Sequence, residues 1–428
     1  VDTESSIRLS SVAASNYRCF ASLEWTGIHP SINVITAPNG KGKTALLDAV
    51  AVGLAPLPRF NSYTRGDKIE DPDVGRRRVG QQTLRTTSDV VIELTAELAD
   101  RRATWRVERG HAPKNRTRTT PAEALRAFAA DAWARRTVDA APLPVVAYYG
   151  TSRLWASSRH TENRRGMEVS DGYRDCLDPR VDYQSFEAWV AAISHDRLNP
   201  ASGTIARLDW DFLVGVLSAA LAPVGLTQFE YSAGEQTLLA GAADQPMLPV
   251  RNQSDGIRTM LGMVGDVARR ICLLNSGIPN FDVAQTPGVI MVDEVDLHLH
   301  PRWQQSVARA LQTAFPRIQW ILTTHSPQVV STIPRDSVWI IDDETASLTH
   351  PEEQTEGARS GEVLAEVFQV DPLPDTDWRE KLNRLDQLID APDDEVQPLL
   401  AEVEQHFGAH HELLRLWRLR RRTRAQAR

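Results

Sequence analysis

Lysine is scarce in this chain: of 48 basic residues only Lys41, Lys43, Lys68, Lys114 and Lys381 are lysines, and two of them fall within the step Lys41-Gly42-Lys43. Cysteine is scarcer still. Cys19, Cys176 and Cys272 are odd in number, far apart and without metal-ligand spacing, which excludes a disulfide framework. No stretch approaches the ~18 consecutive apolar residues of a membrane span, and residues 1–20 carry no charged-then-apolar signal segment. A soluble, cytoplasmic protein with no membrane association is therefore expected. The net charge of -8 excludes a global pull toward nucleic acid, so any such contact must be local. Internal repeats, low-complexity tracts and sustained heptads are also missing, which excludes solenoids and long coiled coils. What remains is ordinary globular usage, 42% hydrophobic and 24% charged, over 428 residues, enough for a large core with an accessory lobe.

Two stretches carry chemistry. The first is Val289-Ile290-Met291-Val292-Asp293-Glu294, an apolar run ending in two carboxylates, followed by Asp296-Leu297-His298-Leu299-His300-Pro301. It reads as a buried parallel strand whose C-terminal end opens on a crevice, the place where open α/β sheets bind ligands, here magnesium and water. A core strand ending in two solvated acids is the plain alternative. The second stretch decides between them: Ala37-Pro38-Asn39-Gly40-Lys41-Gly42-Lys43-Thr44 lies between a short strand, residues 31–36, and a strong helix former, residues 45–52. Strand, glycine-rich loop and helix are what a P-loop requires, because backbone N–H groups must wrap phosphates beside a helix N-terminus. Asn39, Gly40, Lys41 and Gly42 then line ATP, Lys43 reaches its β- and γ-phosphates, and Thr44 supplies a hydroxyl to Mg2+. Ala37 stands where the strict pattern has glycine, while Gly40 and Gly42 are kept where backbone and phosphate come closest.

Further along, Ser254-Asp255-Gly256 opens a helix with apolar residues at 257, 260, 261, 264, 267 and 271, so that Ser254 and Gly256 sit at its N-terminus as a plain cap or as a grip on a γ-phosphate. A core strand at residues 318–324 ends at His325, which should enter the same crevice as Asp293 and Glu294. Arg153, just past the apolar strand at 144–149, is a further candidate. Arginines cluster at 76–78, 101–118 and 415–428; each cluster is either a solvated face or a nucleic-acid contact. Reading His298, His300 and His325 as a zinc site competes poorly with the adjacent magnesium carboxylates.

Together, in order, the P-loop, Ser254-Asp255-Gly256, Asp293-Glu294 with Asp296-Leu297-His298-Leu299-His300-Pro301, and Thr324-His325-Ser326 resemble the ABC-type ATPase superfamily, in its DNA-repair and overcoming-lysogenisation-defect branch. With Tyr148-Tyr149-Gly150-Thr151-Ser152-Arg153, the chain is most similar to the PtuA-like ATPases of Septu and retron anti-phage systems. The signature departs from the transporter-type Leu-Ser-Gly-Gly-Gln, which argues against a transporter subunit. The resemblance implies an α/β P-loop ATPase head with an inserted helical lobe: core at 1–153 and 226–345, lobe at 154–225, helical tail at 346–428. It implies a head-to-tail homodimer or higher oligomer around ATP, an HNH nuclease partner of PtuB type, and possible DNA contact. Thr44 and Asp293 would hold Mg2+, Glu294 would activate water and His325 would contact the γ-phosphate. Ser254 and Gly256 would come from the opposite subunit, with Asp296 near the seam. The residues after 345 are too few for a toprim nuclease, so the chain is not expected to cut DNA itself.

Overall fold

The computed structural model describes residues 6–58, 68–79, 82–110, 117–120, 123–152, 168–179, 183–200, 203–342, 347–371, 373 and 375–426. In chain order the first elements are β1 (Ile7–Tyr17), β2 (Phe20–Thr26), β3 (Ile32–Thr36) and α1 (Lys43–Leu54). There follow β4 (Arg76–Val79), β5 (Gln82–Arg85), β6 (Val90–Leu98), β7 (Arg101–Arg109), β8 (Thr117–Thr120), α2 (Glu123–Val138) and β9 (Val145–Tyr149). The central part holds α3 (Tyr183–Asp196), α4 (Thr204–Leu221), β10 (Gln228–Ser232), β11 (Thr237–Gly241), β12 (Leu248–Pro249) and α5 (Asp255–Asn275). Then come β13 (Gly288–Val292), α6 (Pro301–Gln304), α7 (Val307–Ala314), β14 (Ile318–Thr323), α8 (Pro327–Val330), β15 (Val338–Ile341), β16 (Leu348–Thr349) and α9 (Ser360–Glu366). The last three helices are α10 (Asp377–Gln387), α11 (Asp393–Phe407) and α12 (Glu412–Gln426).

Two sheets position the site. One has the order β16-β15-β3-β14-β13-β9, in which β15, β3, β14, β13 and β9 run parallel and β16 closes the edge antiparallel. Its central strands are buried on both faces, which is why β13 reads as an unbroken apolar run and the polar Asn33 of β3 and Gln319 of β14 are buried and hydrogen-bonded. Gly288 has a packing reason: a methyl there would lie 2.0 Å from the Val145 carbonyl oxygen of the neighbouring strand. The second sheet, β2-β1-β6-β7-β8, is antiparallel and half-exposed, and β7 alternates buried Ala103, Trp105 and Val107 with exposed polar residues. Helix α1 packs against it, with Trp105 Nε1 donating to the Gly53 carbonyl at 2.8 Å.

The chain divides into two compact units, Val1–Phe368 and Gln369–Arg428. Residues 347–368, expected in the tail, thus belong to the head: β16 pairs with β15, and Val363 and Val367 are buried in the main core. Helices α3 and α4, expected as an inserted lobe, also share that core, where the Phe186 ring fills the space a side chain at Gly265 would need. The helical stretch 301–314 is interrupted at Gln305-Ser306, giving α6 and α7. The second unit has its own small core of Leu385, Ile389, Val396, Leu400, Val403, Leu414 and Trp417, and Trp417 Nε1 donates to the Leu385 carbonyl at 3.0 Å. No helix among the described residues is long and apolar enough to cross a membrane.

Candidate active site

The parallel strands bring their C-terminal ends to one crevice, since Val292 of β13 pairs with Leu322 of β14 and with Tyr149 of β9, while Thr323 pairs with Ile35 of β3. The segment 37–44 leaves β3, the acids 293–294 leave β13, and His325 leaves β14. Between β3 and α1 the loop turns at Gly40 (φ +78°) and Gly42 (φ +97°), a left-handed backbone that glycine adopts at least cost. Gly42 is doubly constrained, because a methyl there would stand 2.4 Å from Phe20 Cζ. Pro38, Asn39, Gly40 and Lys41 are exposed, whereas Lys43 is only 7% exposed and its Nζ donates to the carbonyls of Ala37 at 2.8 Å and Pro38 at 3.4 Å. Burial pushes the Lys43 pKa down, and Asp293, Glu294 and Asp296 act against that shift.

The carboxylate of Asp293 is held from α1 and from the neighbouring strand β14. Thr44 Oγ1 donates to Asp293 Oδ2 at 2.7 Å, and Thr323 Oγ1 donates to Asp293 Oδ1 at 2.5 Å. The Asp293 N–H donates to the Tyr149 carbonyl at 2.8 Å. Thr323 Oγ1 also accepts the Glu294 N–H at 2.8 Å, and Glu294 has a left-handed backbone, φ +48°. Such a conformation in a non-glycine residue needs support from its surroundings, and the threonine supplies it. The result is a hydroxyl and a carboxylate oxygen side by side at the mouth of a phosphate-type loop, with a second, half-buried carboxylate next to them. Two hard oxygen donors of this kind suit Mg2+, which keeps most of its shell for water and phosphate oxygens. His325 is half-buried, and burial together with Lys43 pushes its pKa below the ordinary imidazole value, so it is a neutral hydrogen-bonding group at pH 7.

Two family models match the chain: one described as "AAA domain" over residues 11–182, the other as "AAA domain, putative AbiEii toxin, Type IV TA system" over residues 244–331. The chain is 23% identical over 416 residues to the Retron Vc95 probable ATPase of Vibrio cholerae serotype O1 biovar El Tor, covering 84% of this chain and 78% of that protein. It is 36% identical over 101 residues to the Septu protein PtuA of Bacillus mycoides (strain KBAB4), covering 24% of this chain and 12% of that protein. The chain is an ATPase similar to the retron ATPases and to the Septu protein PtuA. The fold agrees: an Smc head bound to the C-winged helix domain of ScpA superposes with a TM-score of 0.50 at 11% identity, covering 80% of this chain and 97% of that one.

The remaining candidate residues of the ATPase fall into place around this centre. Ser254 is exposed at the N-terminus of α5, and its side chain makes no capping hydrogen bond. Gly256, two residues on, is buried against its own chain: a methyl there would meet the His298 carbonyl oxygen at 2.3 Å, so glycine lets α5 touch the segment that follows Glu294. That segment is held from the other side too. Asp296 accepts the Thr324 hydroxyl, Gln304 Nε2 donates to the Leu299 carbonyl at 2.9 Å, and Ser326 Oγ donates to Gln304 Oε1 at 2.8 Å. The histidines of the zinc reading do not assemble: His298 and His300 are exposed, His300 Nδ1 accepts the Arg302 N–H at 3.2 Å, and no metal-binding group of three His, Cys, Asp or Glu occurs among the described residues. Arg153, Lys114, Arg116 and Arg428 lie outside the described residues.

Of the arginine clusters, the one on β7 and β8 is matched across the strands: Glu93 faces Arg106, Glu97 faces Arg102 and Glu108 faces Arg118. In α12, Arg418 pairs with Glu404, Arg421 with Asp393 at 2.7 Å and Arg424 with Asp390 at 3.0 Å. Much of the basic charge is therefore spent within the fold. Sequence reasoning missed Thr323, Tyr149, Gln304 and Asp266. For Thr323 a signal existed, a hydroxyl residue at the end of the strand beside the acidic pair.

Proposed function

We propose that this ATPase is the nucleotide-binding subunit of a bacterial anti-phage defence complex, closing head to tail on a second copy around ATP and controlling an associated HNH nuclease. The observation that carries the catalytic part is the joint hold on Asp293 by Thr44 and Thr323, which places the P-loop hydroxyl and the acidic pair in one centre. Backbone N–H groups from Asn39 to Lys43 and the Lys43 ammonium bind the phosphates. Thr44 and Asp293 would hold Mg2+, which when bound neutralises charge on the phosphate oxygens. Glu294 orients and polarises the attacking water, and His325, uncharged, hydrogen-bonds the γ-phosphate from β14. The exposed Ser254 at the N-terminus of α5 is presented outward, where a second copy's nucleotide would meet it. Gly256 serves that site by holding the turn against residue 298, and Asp296 lies in the same segment. The defence role and the partner draw on the likeness to the retron and Septu proteins.

The test is Glu294→Gln. It should bind ATP within ~2-fold of the parent and lose at least ~100-fold in turnover; steady-state hydrolysis equal to the parent's would refute the assignment. For the partner, co-expression with the neighbouring open reading frame should yield a complex containing an HNH protein.

A further inference from the structure

Tyr148 and Tyr149 end β9, and successive strand residues point to opposite faces of a sheet. The Tyr148 side chain faces Asp48 of α1, the helix that follows the phosphate loop. The Tyr149 hydroxyl donates to Asp266 Oδ2 of α5 at 2.9 Å. Tyr149 is also the residue whose carbonyl accepts the Asp293 N–H, at 2.8 Å. One buried residue thus joins the end of β13 to the middle of α5.

Asp266 is fully buried, at 0% exposure. Its Oδ1 accepts Arg269 Nε at 2.9 Å and Nη2 at 2.6 Å, and its Oδ2 accepts Arg270 Nε at 2.8 Å beside the tyrosine. Arg270 Nη1 then donates to the carbonyls of Gly172 at 3.0 Å and Arg174 at 2.9 Å. Burial by itself raises the Asp266 pKa, but the two guanidiniums override it and hold the carboxyl well below the usual range. An apolar contact would bury α5 more cheaply, since desolvated charges need full compensation. What the polar cluster adds is direction: a carboxylate with saturated lone pairs fixes how the helix is turned about its axis. Ser254 lies twelve residues before Asp266, roughly 18 Å along the helix at 1.5 Å per residue. At that lever arm a tilt of α5 by ~5° pivoting at Asp266 displaces the exposed serine by ~1.6 Å.

We propose that Tyr149 and Asp266 are positioning residues of the composite site: their hydrogen bond ties the orientation of α5, and with it the reach of Ser254 toward a second copy's nucleotide, to the Asp293-Glu294 end of β13. This rests on the head-to-tail reading given above.

The experiment uses the full chain with Glu294→Gln, with and without Tyr149→Phe, a change that keeps the ring and leaves Asp266 with its arginine donors. Sedimentation velocity with ATP and Mg2+ gives the dimer dissociation constant, and a fluorescent ATP analogue gives monomer affinity. The double variant should dimerise ~10-fold or more weakly, the worth of one charge-assisted hydrogen bond, while nucleotide affinity stays within ~2-fold. Hydrogen exchange should rise in the first turns of α5 and not elsewhere in the head. Equal dimer constants overturn the proposal. So does a parallel loss of nucleotide affinity, dimerisation and melting temperature, which would make the bond a general support of the fold. If Glu294→Gln alone stays monomeric with ATP, the head-to-tail reading itself falls and this proposal with it.

Discussion

Replacing Thr323 by valine removes one hydroxyl from a fully buried position and keeps the side-chain shape. Two hydrogen bonds go with it, the 2.5 Å bond to Asp293 Oδ1 and the 2.8 Å bond from the Glu294 N–H. A hydrogen bond to a charged group contributes ~1.5–3 kcal/mol, and a buried amide left without its acceptor costs ~1–3 kcal/mol. The two are neighbours and not additive, so ~2–4 kcal/mol is the expected total. Over the head unit, Val1–Phe368, that corresponds to a fall in melting temperature of roughly 3–5 °C at ~2 cal/mol/K per residue. The larger effect is catalytic. With its support removed, the left-handed Glu294 backbone relaxes and the water-activating carboxylate moves, which lowers kcat ~10–100-fold. ATP affinity, set by Lys43 and the loop amides, should change by less than ~3-fold. Steady-state hydrolysis, equilibrium binding and a thermal melt check the three quantities, and Thr323→Ser, which keeps the hydroxyl, should recover most of kcat. A valine variant with parental kcat, or a serine variant as slow as valine, would refute the reasoning.

Gly256→Ala should lower the melting temperature and weaken ATP-dependent dimerisation, because its methyl meets the His298 carbonyl at 2.3 Å and the overlap costs ~1–3 kcal/mol. Stability should fall with acid through Asp266: its folded pKa is depressed, so its contribution is complete above the ordinary carboxylate pKa of about 4 and is lost as pH drops below it. Acid titrations of unfolding should show that slope, and Asp266→Asn should flatten it while lowering stability at pH 7, since Arg269 and Arg270 lose their buried counter-charge. Chelation should abolish hydrolysis and added Mg2+ restore it, and Thr44→Ala should need ~10-fold more Mg2+ for half-maximal turnover.

The parts of the fold that can be read from the chain are those whose signal is local. β3, the glycine loop and α1 are contiguous, and β13 is an unbroken apolar run of the kind found in a sheet buried on both faces. Helix α5 declared itself by its 3.6-residue spacing. The rest depends on which strands become neighbours. Thr323 matters only because β14 lies beside β13, and Tyr149 only because β9 flanks the other side; neither pairing is encoded near those residues. Asp266, in the middle of an apolar helix face, offers no local hint that its compensating charges stand three and four residues later and point inward. At Gly256 the sequence gives no sign that the missing side chain accommodates the His298 backbone carbonyl, a contact only the fold creates. The break at Gln305-Ser306 was hidden because Gln304 turns back to bond the Leu299 carbonyl, a contact made through the loop rather than along the helix.

On β6, β7 and β8 the facing rows of glutamate and arginine alternate in sign at spacings of ~5 Å, shorter than the ~8 Å over which physiological salt damps a charge. A polyanion drifting toward that wall would meet glutamates among the arginines before it arrived. Where a glutamate faces an arginine on this flank of the head, the pull on a passing phosphate backbone should be weaker than the arginines alone would exert, as on the face of an ionic crystal.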